Sequence, residues 1–168
     1  MTASDRPALI LFLPGALGRT QLWEPVANLL LCSACKEHAG WPGFGSIPSN
    51  PLINGIDDLV KMVLAKIDQP TALVAQSMGG AIAVRAALEK PELITHLVLA
   101  VTSGSIDVVA LGGKDWRPSF LASKPKLPRW FSTYREDLSA KLPTIRIPTL
   151  LLWGDSDPIS PVCVGERL

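Results

Sequence analysis

Four apolar runs recur along the chain, at residues 8–13 (ALILFL), 71–75 (TALVA), 94–101 (ITHLVLAV) and 148–153 (PTLLLW). None shows the strict apolar and polar alternation of a strand with one wet face, so each reads as a strand covered on both faces. Strands of that kind need helices on both sides of a parallel sheet, which makes the chain α/β. At least four strand-and-helix repeats of one pattern stand in line, and a doubly wound sheet follows.

The segments between the runs supply the helices. Leu22, Trp23, Val26, Leu29 and Leu30 fall on one helical face, with Pro25 admissible only in a first turn. A further strand is expected within residues 31–40, although Lys36, Glu37 and His38 stand where a buried strand would carry Val or Ile. Asn54 is placed to cap a helix with Ile56, Leu59, Val60, Val63, Leu64 and Ile67 at helical spacing, closed by Pro70. Residues 79–90 form an Ala-rich helix stopped by Pro91. Residues 107–142 are too long for a simple connection and hold Trp116, Phe120, Trp130, Phe131 and Tyr134. Such a segment is either an aromatic lid at the ligand-binding edge of the sheet or a cover for the core.

With 168 residues and 18.0 kDa the chain is one domain's worth of sequence. Lys plus Arg number 16 against 15 Asp plus Glu, and no basic run supplies a nucleic-acid footprint. The apolar runs fall far short of the roughly 18 residues of a membrane span, and the first is too short for a secretory signal. A cytoplasmic location is expected. Three cysteines, an odd number, suit a reducing compartment. Cys32 and Cys35 form a C-x-x-C with His38 nearby, but zinc needs four ligands and Cys163 is distant, while c-type haem needs His where Lys36 stands. Free thiols and no metal are expected.

Three segments carry chemistry. Residues 73–80, LVAQSMGG, put Ser77 on a sharp turn between strand and helix, with small Ala75 and Gly79 two positions either side. This is a nucleophile elbow, which lifts a hydroxyl above the sheet at the positive end of the next helix. Acyl transfer also needs N–H donors for a developing oxyanion. Met78 offers one, and the loop LPGALG after the first run offers a second, at Ala16 or less favourably at Leu17. The run LLLWGDSDPISP enters an acidic turn where a carboxylate, Asp155 or Asp157, could orient a histidine.

LPGALG with Trp23, WPGFG, AQSMGG and LLLWGDSDPISP, in this order, resemble the α/β-hydrolase superfamily in its small esterase-like bacterial branch, over nearly the whole chain. The resemblance implies about five mostly parallel strands, with a core of residues 1–106 and 143–168 and a lid insertion at about 107–142. It implies Ser77 as nucleophile and Asp157, rather than Asp155, as acid. Trp116, Phe120 and Trp130 become substrate-binding residues. The activity implied is hydrolysis of a small-molecule carboxylic ester through a serine acyl-enzyme, without metal or organic cofactor.

The family order is Ser, Asp, then His on a loop one strand further on. Leu168 comes eleven residues after Asp157, so the last strand, the His loop and the final helix are expected to be missing. Of the two histidines, His96 is expected about 20 Å from the Ser77 edge, and His38 comes from the irregular segment with no readable acid partner. Other readings are an inactive shortened protein that binds a small apolar ligand, and a C–C hydrolase or cofactor-free haloperoxidase on the same scaffold. The run at 149–153 would be left with an unpaired edge, so self-association is expected.

Overall fold

The computed structural model describes residues 6–124 and 127–168. Its elements are β1 (Leu9–Leu13), a 3₁₀ turn (Thr20–Trp23), α1 (Glu24–Leu29), β2 (Cys35–His38), α2 (Ile56–Leu64), β3 (Thr71–Gln76) and α3 (Met78–Glu89). There follow β4 (Ile94–Ala100), α4 (Arg117–Ser123), α5 (Arg129–Thr133), a 3₁₀ turn (Leu142–Thr144), β5 (Thr149–Leu152) and α6 (Val162–Arg167). The five strands are all parallel, in the order β2-β1-β3-β4-β5.

That order reverses direction between β1 and β3. The chain leaves β1 one way to form β2, then crosses back over β1 to form β3, β4 and β5. Right-handed crossovers therefore set α1 on one face and α2 with α3 on the other, and α2 packs against α3. The side chains of β1 divide accordingly. Leu9, Leu11 and Leu13 enter the larger core with Leu59, Val63 and Ile82, whereas Ile10 and Phe12 meet Ala27 of α1 in a smaller one.

The smaller core corrects one sequence expectation. Leu22, Val26 and Leu29 are 45%, 41% and 80% exposed, and Ala27 is the buried residue of α1. A helix of six residues over an edge strand of four cannot cover a full apolar stripe. The charged stretch CKEH is itself β2, and being an edge strand it tolerates charge: Glu37 pairs with Lys66 at 2.6 Å, and Lys36 Nζ donates to Leu30 O at 2.7 Å.

Asn54 does not cap α2. The N-cap is Gly55, and Asp58, in the first turn, accepts the Asn54 N–H at 2.9 Å. That backbone donor, with Lys61 at 3.3 Å, holds the Asp58 carboxyl below the usual carboxylate range. Ile67 lies past the helical end yet is fully buried. Lys90 Nζ donates to the carbonyls of Leu64 and Ile67 there, satisfying acceptors left open at a helix C-terminus. β5 also departs from expectation, because Leu150 and Leu152 are 54% and 45% exposed. It pairs only with β4 among the described residues, which leaves its outer edge without a strand partner there.

Candidate active site

In an open parallel sheet, ligands bind beyond the carboxyl ends of the strands where the strand order reverses. Here that point lies between β1 and β3, and the loops leaving those two strands are LPGALG and the Ser77 elbow. Ser77 has φ 53° and ψ −120°, a conformation costing about 1–3 kcal/mol that persists only where its surroundings enforce it. Its N–H donates to Ala100 O at 3.1 Å, and its carbonyl accepts Gly80 N–H at 2.9 Å as α3 begins. The residue is half-buried, which leaves its side chain approachable.

The small residues around the elbow have specific causes. A Cβ on Gly79 would lie 2.5 Å from Leu13 O and 2.7 Å from Pro14 O, so only glycine lets α3 start against the end of β1. A Cβ on Gly15 would collide with Gln76 Oε1 and come within 3.1 Å of Ser77 Cβ. The LPGALG loop thus lies directly beside the serine. Gly15 O accepts Gly18 N–H at 3.0 Å, forming a turn whose central residues are Ala16 and Leu17. Such a turn does not use the amides of its central residues. Met78, 8% exposed, is the first residue of α3, so its N–H has no partner within the helix. Both sequence-predicted donors, Met78 and Ala16, belong to segments that meet at Ser77.

The acid turn follows β5. Asp157 is half-buried, and its Oδ1 accepts the N–H groups of Ile159 and Ser160 at 2.8 and 3.0 Å. Asp155 is exposed and accepts the hydroxyl of its neighbour Ser156, at 3.1 Å. The anchored, less solvated carboxylate is Asp157.

The histidines lie elsewhere. His96 is opposite Ala72, five residues before Ser77, so it sits about 17 Å from the elbow, somewhat closer than the 20 Å expected but still far from it. His38 ends β2 beside Phe12, its ring stacked on that residue at 4.8 Å, and its Nδ1 is buried with no hydrogen-bond partner among the described residues. Among the described residues no group of His, Cys, Asp and Glu is placed to hold a metal, and Cys32, Cys35 and Cys163 are free and exposed. No helix among them is long and apolar enough to cross a membrane.

Trp116, Phe120, Trp130 and Phe131 of 107–142 form one cluster. Trp116 and Phe120 pack on Phe131 at 5.0 and 5.9 Å, and Trp130 and Phe131 pack on Phe44 of the WPGFG loop at 5.8 and 5.4 Å. Trp116, Phe120 and Trp130 are each half-buried. A cavity of about 330 Å³ touches Trp130, but its other walls are Gly55, Ile56, Asp57, Arg85 and residues 134–136, away from Ser77. In that wall, burial and then Glu136 push the Tyr134 hydroxyl upward from its ordinary value.

Residues 8–142 match the family described as the alpha/beta hydrolase fold. The chain belongs to the α/β-hydrolase family. It is 29% identical over 176 residues to YugF, an uncharacterized hydrolase of Bacillus subtilis, covering 76% of this chain and 64% of that protein. It therefore spans less than two thirds of that relative's length. A hydrolase from Pseudomonas aeruginosa has the same fold with TM-score 0.72 and 21% identity, over 98% of this chain and 78% of its own. The monoacylglycerol lipase of Paleococcus ferrophilus superposes with TM-score 0.69 and 19% identity, over 96% and 79%.

Two residues of this α/β-hydrolase chain hold the loop beside Ser77 in a way that periodicity does not reveal. Trp41, fully buried, donates its indole N–H to Pro14 O at 2.8 Å, and Trp23 donates to Leu13 O at 3.3 Å. The readable signal is chemical: an indole can only donate, so a Trp buried beside Pro-Gly has to find a carbonyl. The WPGFG backbone also abuts the loop, since a Cβ on Gly18 would stand 2.6 Å from Phe44 C.

Proposed function

We propose that the chain carries an acyl-transfer site that hydrolyses a small carboxylic ester through a Ser77 acyl-enzyme. The observation that supports this best is the φ 53° backbone of Ser77 at the strand-order reversal, with the LPGALG loop in contact beside it. In this reading the Ser77 hydroxyl adds to the ester carbonyl, and the N–H groups of Met78 and Ala16 receive the negative oxygen. The alcohol then leaves, and water releases the acid from the serine. Asp157 is the carboxylate that would orient a base, and Trp116, Phe120 and Trp130 line the acyl side beneath the 107–142 lid. The reaction uses no cofactor.

Neither histidine of this chain is the base, on our reading, because His96 lies about 17 Å from Ser77 along the sheet and His38 is stacked on Phe12. Serine without a base is a weak nucleophile, and lesions of this kind lower turnover by about a millionfold. The same placement favours a second reading, a hydrolase-like chain that binds a small apolar ligand without turnover. A fluorophosphonate probe separates the two. Slow labelling of wild type that disappears in Ser77→Ala supports acyl transfer, and labelling equal in both refutes it. Ester turnover above about 1 s⁻¹, an ordinary enzyme rate, would show that a base is present and direct attention to His38.

A further inference from the structure

We infer that Thr102 is a positioning residue that ties the Ser77 elbow to the Asp157 turn, an inference whose catalytic meaning rests on the acyl-transfer reading above. Thr102 lies two residues past β4 and is 1% exposed. Its Oγ1 donates to Ser77 O at 2.6 Å and accepts Gly104 N–H at 3.1 Å. Its own carbonyl accepts the hydroxyl of Ser160 at 3.1 Å. Ser160, 4% exposed, is the residue whose N–H donates to Asp157 Oδ1, and its Oγ in turn accepts the Trp153 indole at 3.1 Å. One threonine therefore bonds the nucleophile's peptide with its side chain and the acid turn with its backbone.

Two features indicate that this seat is built and not incidental. Val101, immediately before Thr102, has φ 39°, an outlier for a β-branched residue that fixed contacts must maintain. Gly80 leaves room for Thr102, since a Cβ there would lie 2.5 Å from Thr102 Cβ and 2.7 Å from its Cγ2. The strained Ser77 peptide carries its hydroxyl at a fixed angle only while its carbonyl is held, and Thr102 Oγ1 and Gly80 N–H both donate to that carbonyl. Asp157 shares that anchor through Ser160, so acid and nucleophile keep a common reference although they lie on different strands' loops.

The test compares Thr102→Val, which keeps the shape and removes the hydroxyl, with Thr102→Ser, which keeps the hydroxyl, and Ser160→Ala. Two readouts are taken well below the unfolding temperature: the rate of fluorophosphonate labelling at Ser77 and hydrogen exchange of the Gly80 amide. In Thr102→Val labelling should slow and Gly80 exchange should quicken, each by about tenfold, the scale of one buried hydrogen bond. Thr102→Ser should restore both toward wild type. Ser160→Ala, which touches neither Ser77 nor Gly80, should move Gly80 exchange in the same direction by a smaller factor, with the β1 amides unchanged. Gly80 exchange unaltered in Thr102→Val, or impaired as much in Thr102→Ser, overturns the inference. A wild-type chain that does not label while Gly80 responds as described overturns the acyl-transfer reading and leaves the tie standing.

Discussion

Gly79→Ala sets two effects of opposite sign against each other. Alanine in place of glycine favours a helix by at most about 1 kcal/mol. Against that gain, the new Cβ would lie 2.5 Å from Leu13 O, 2.7 Å from Pro14 O and 2.8 Å from Leu13 C. All three are backbone atoms, and Leu13 is fully buried in β1, the strand between β2 and β3. No rotamer change relieves them, so α3 must withdraw by roughly 1 Å to reach ordinary contact. Overpacking of a well-filled core costs about 1–3 kcal/mol, and a rigid neighbour places this case at the upper end. The net loss is then about 2 kcal/mol, or about 4–8 °C in Tm for a chain of this size. Thermal and urea denaturation of wild type, Gly79→Ala and Gly154→Ala measure it, because a Cβ at Gly154 meets nothing within 4 Å. Labelling of Ser77 should fall in Gly79→Ala alone, since the withdrawing helix carries the Met78 amide with it. A Gly79→Ala protein as stable as wild type, or more so, would mean that helix propensity wins and that the close approach of α3 to β1 is not obligatory.

Trp41→Phe should lose about 1–3 kcal/mol for the stranded Pro14 carbonyl and slow Ser77 labelling, read by urea denaturation and the same probe; unchanged stability would show that water replaces the indole. We also propose that β5 pairs with β5 of a second copy, because TLLL is uncharged and its outer edge has no partner among the described residues. Sedimentation velocity should show concentration-dependent association of the 168-residue chain that Leu150→Lys abolishes, and a dilution-independent wild-type monomer refutes the pairing.

The parts of this molecule that could be read from its sequence are those where one residue type is forced by its own surroundings. The unbroken run at 8–13 had to be a central strand, and a serine between a buried strand and an Ala-rich helix had to sit on a tight turn. The failures share a different cause. The stripe of Leu22, Val26 and Leu29 has helical spacing, but spacing cannot say whether a partner surface exists, and here the covering face is too small. Asn54 has the right chemistry for a cap and lost the place because Asp58 reaches back to the Asn54 amide. Trp41, Thr102 and Ser160 escaped because each acts through one hydrogen bond to a backbone carbonyl distant in sequence. No local pattern records which carbonyl a lone hydroxyl or indole will meet.

The fit of Thr102 against Gly80 has a consequence for how this chain could change over generations. The space a side chain at position 80 would need is occupied by the β-branched side chain at position 102. A lineage that first acquires alanine at 80 drives it into Thr102, and one that first trims position 102 to glycine frees the Ser77 carbonyl of its hydroxyl donor. Each first step is harmful, whereas both together restore the packing and still forfeit the hydroxyl bond to the Ser77 carbonyl, although the backbone carbonyl at 102 keeps its bond to Ser160. The two positions are therefore expected to be inherited as a unit, with serine at 102 the accessible neighbour that gives up a methyl group and keeps the hydroxyl.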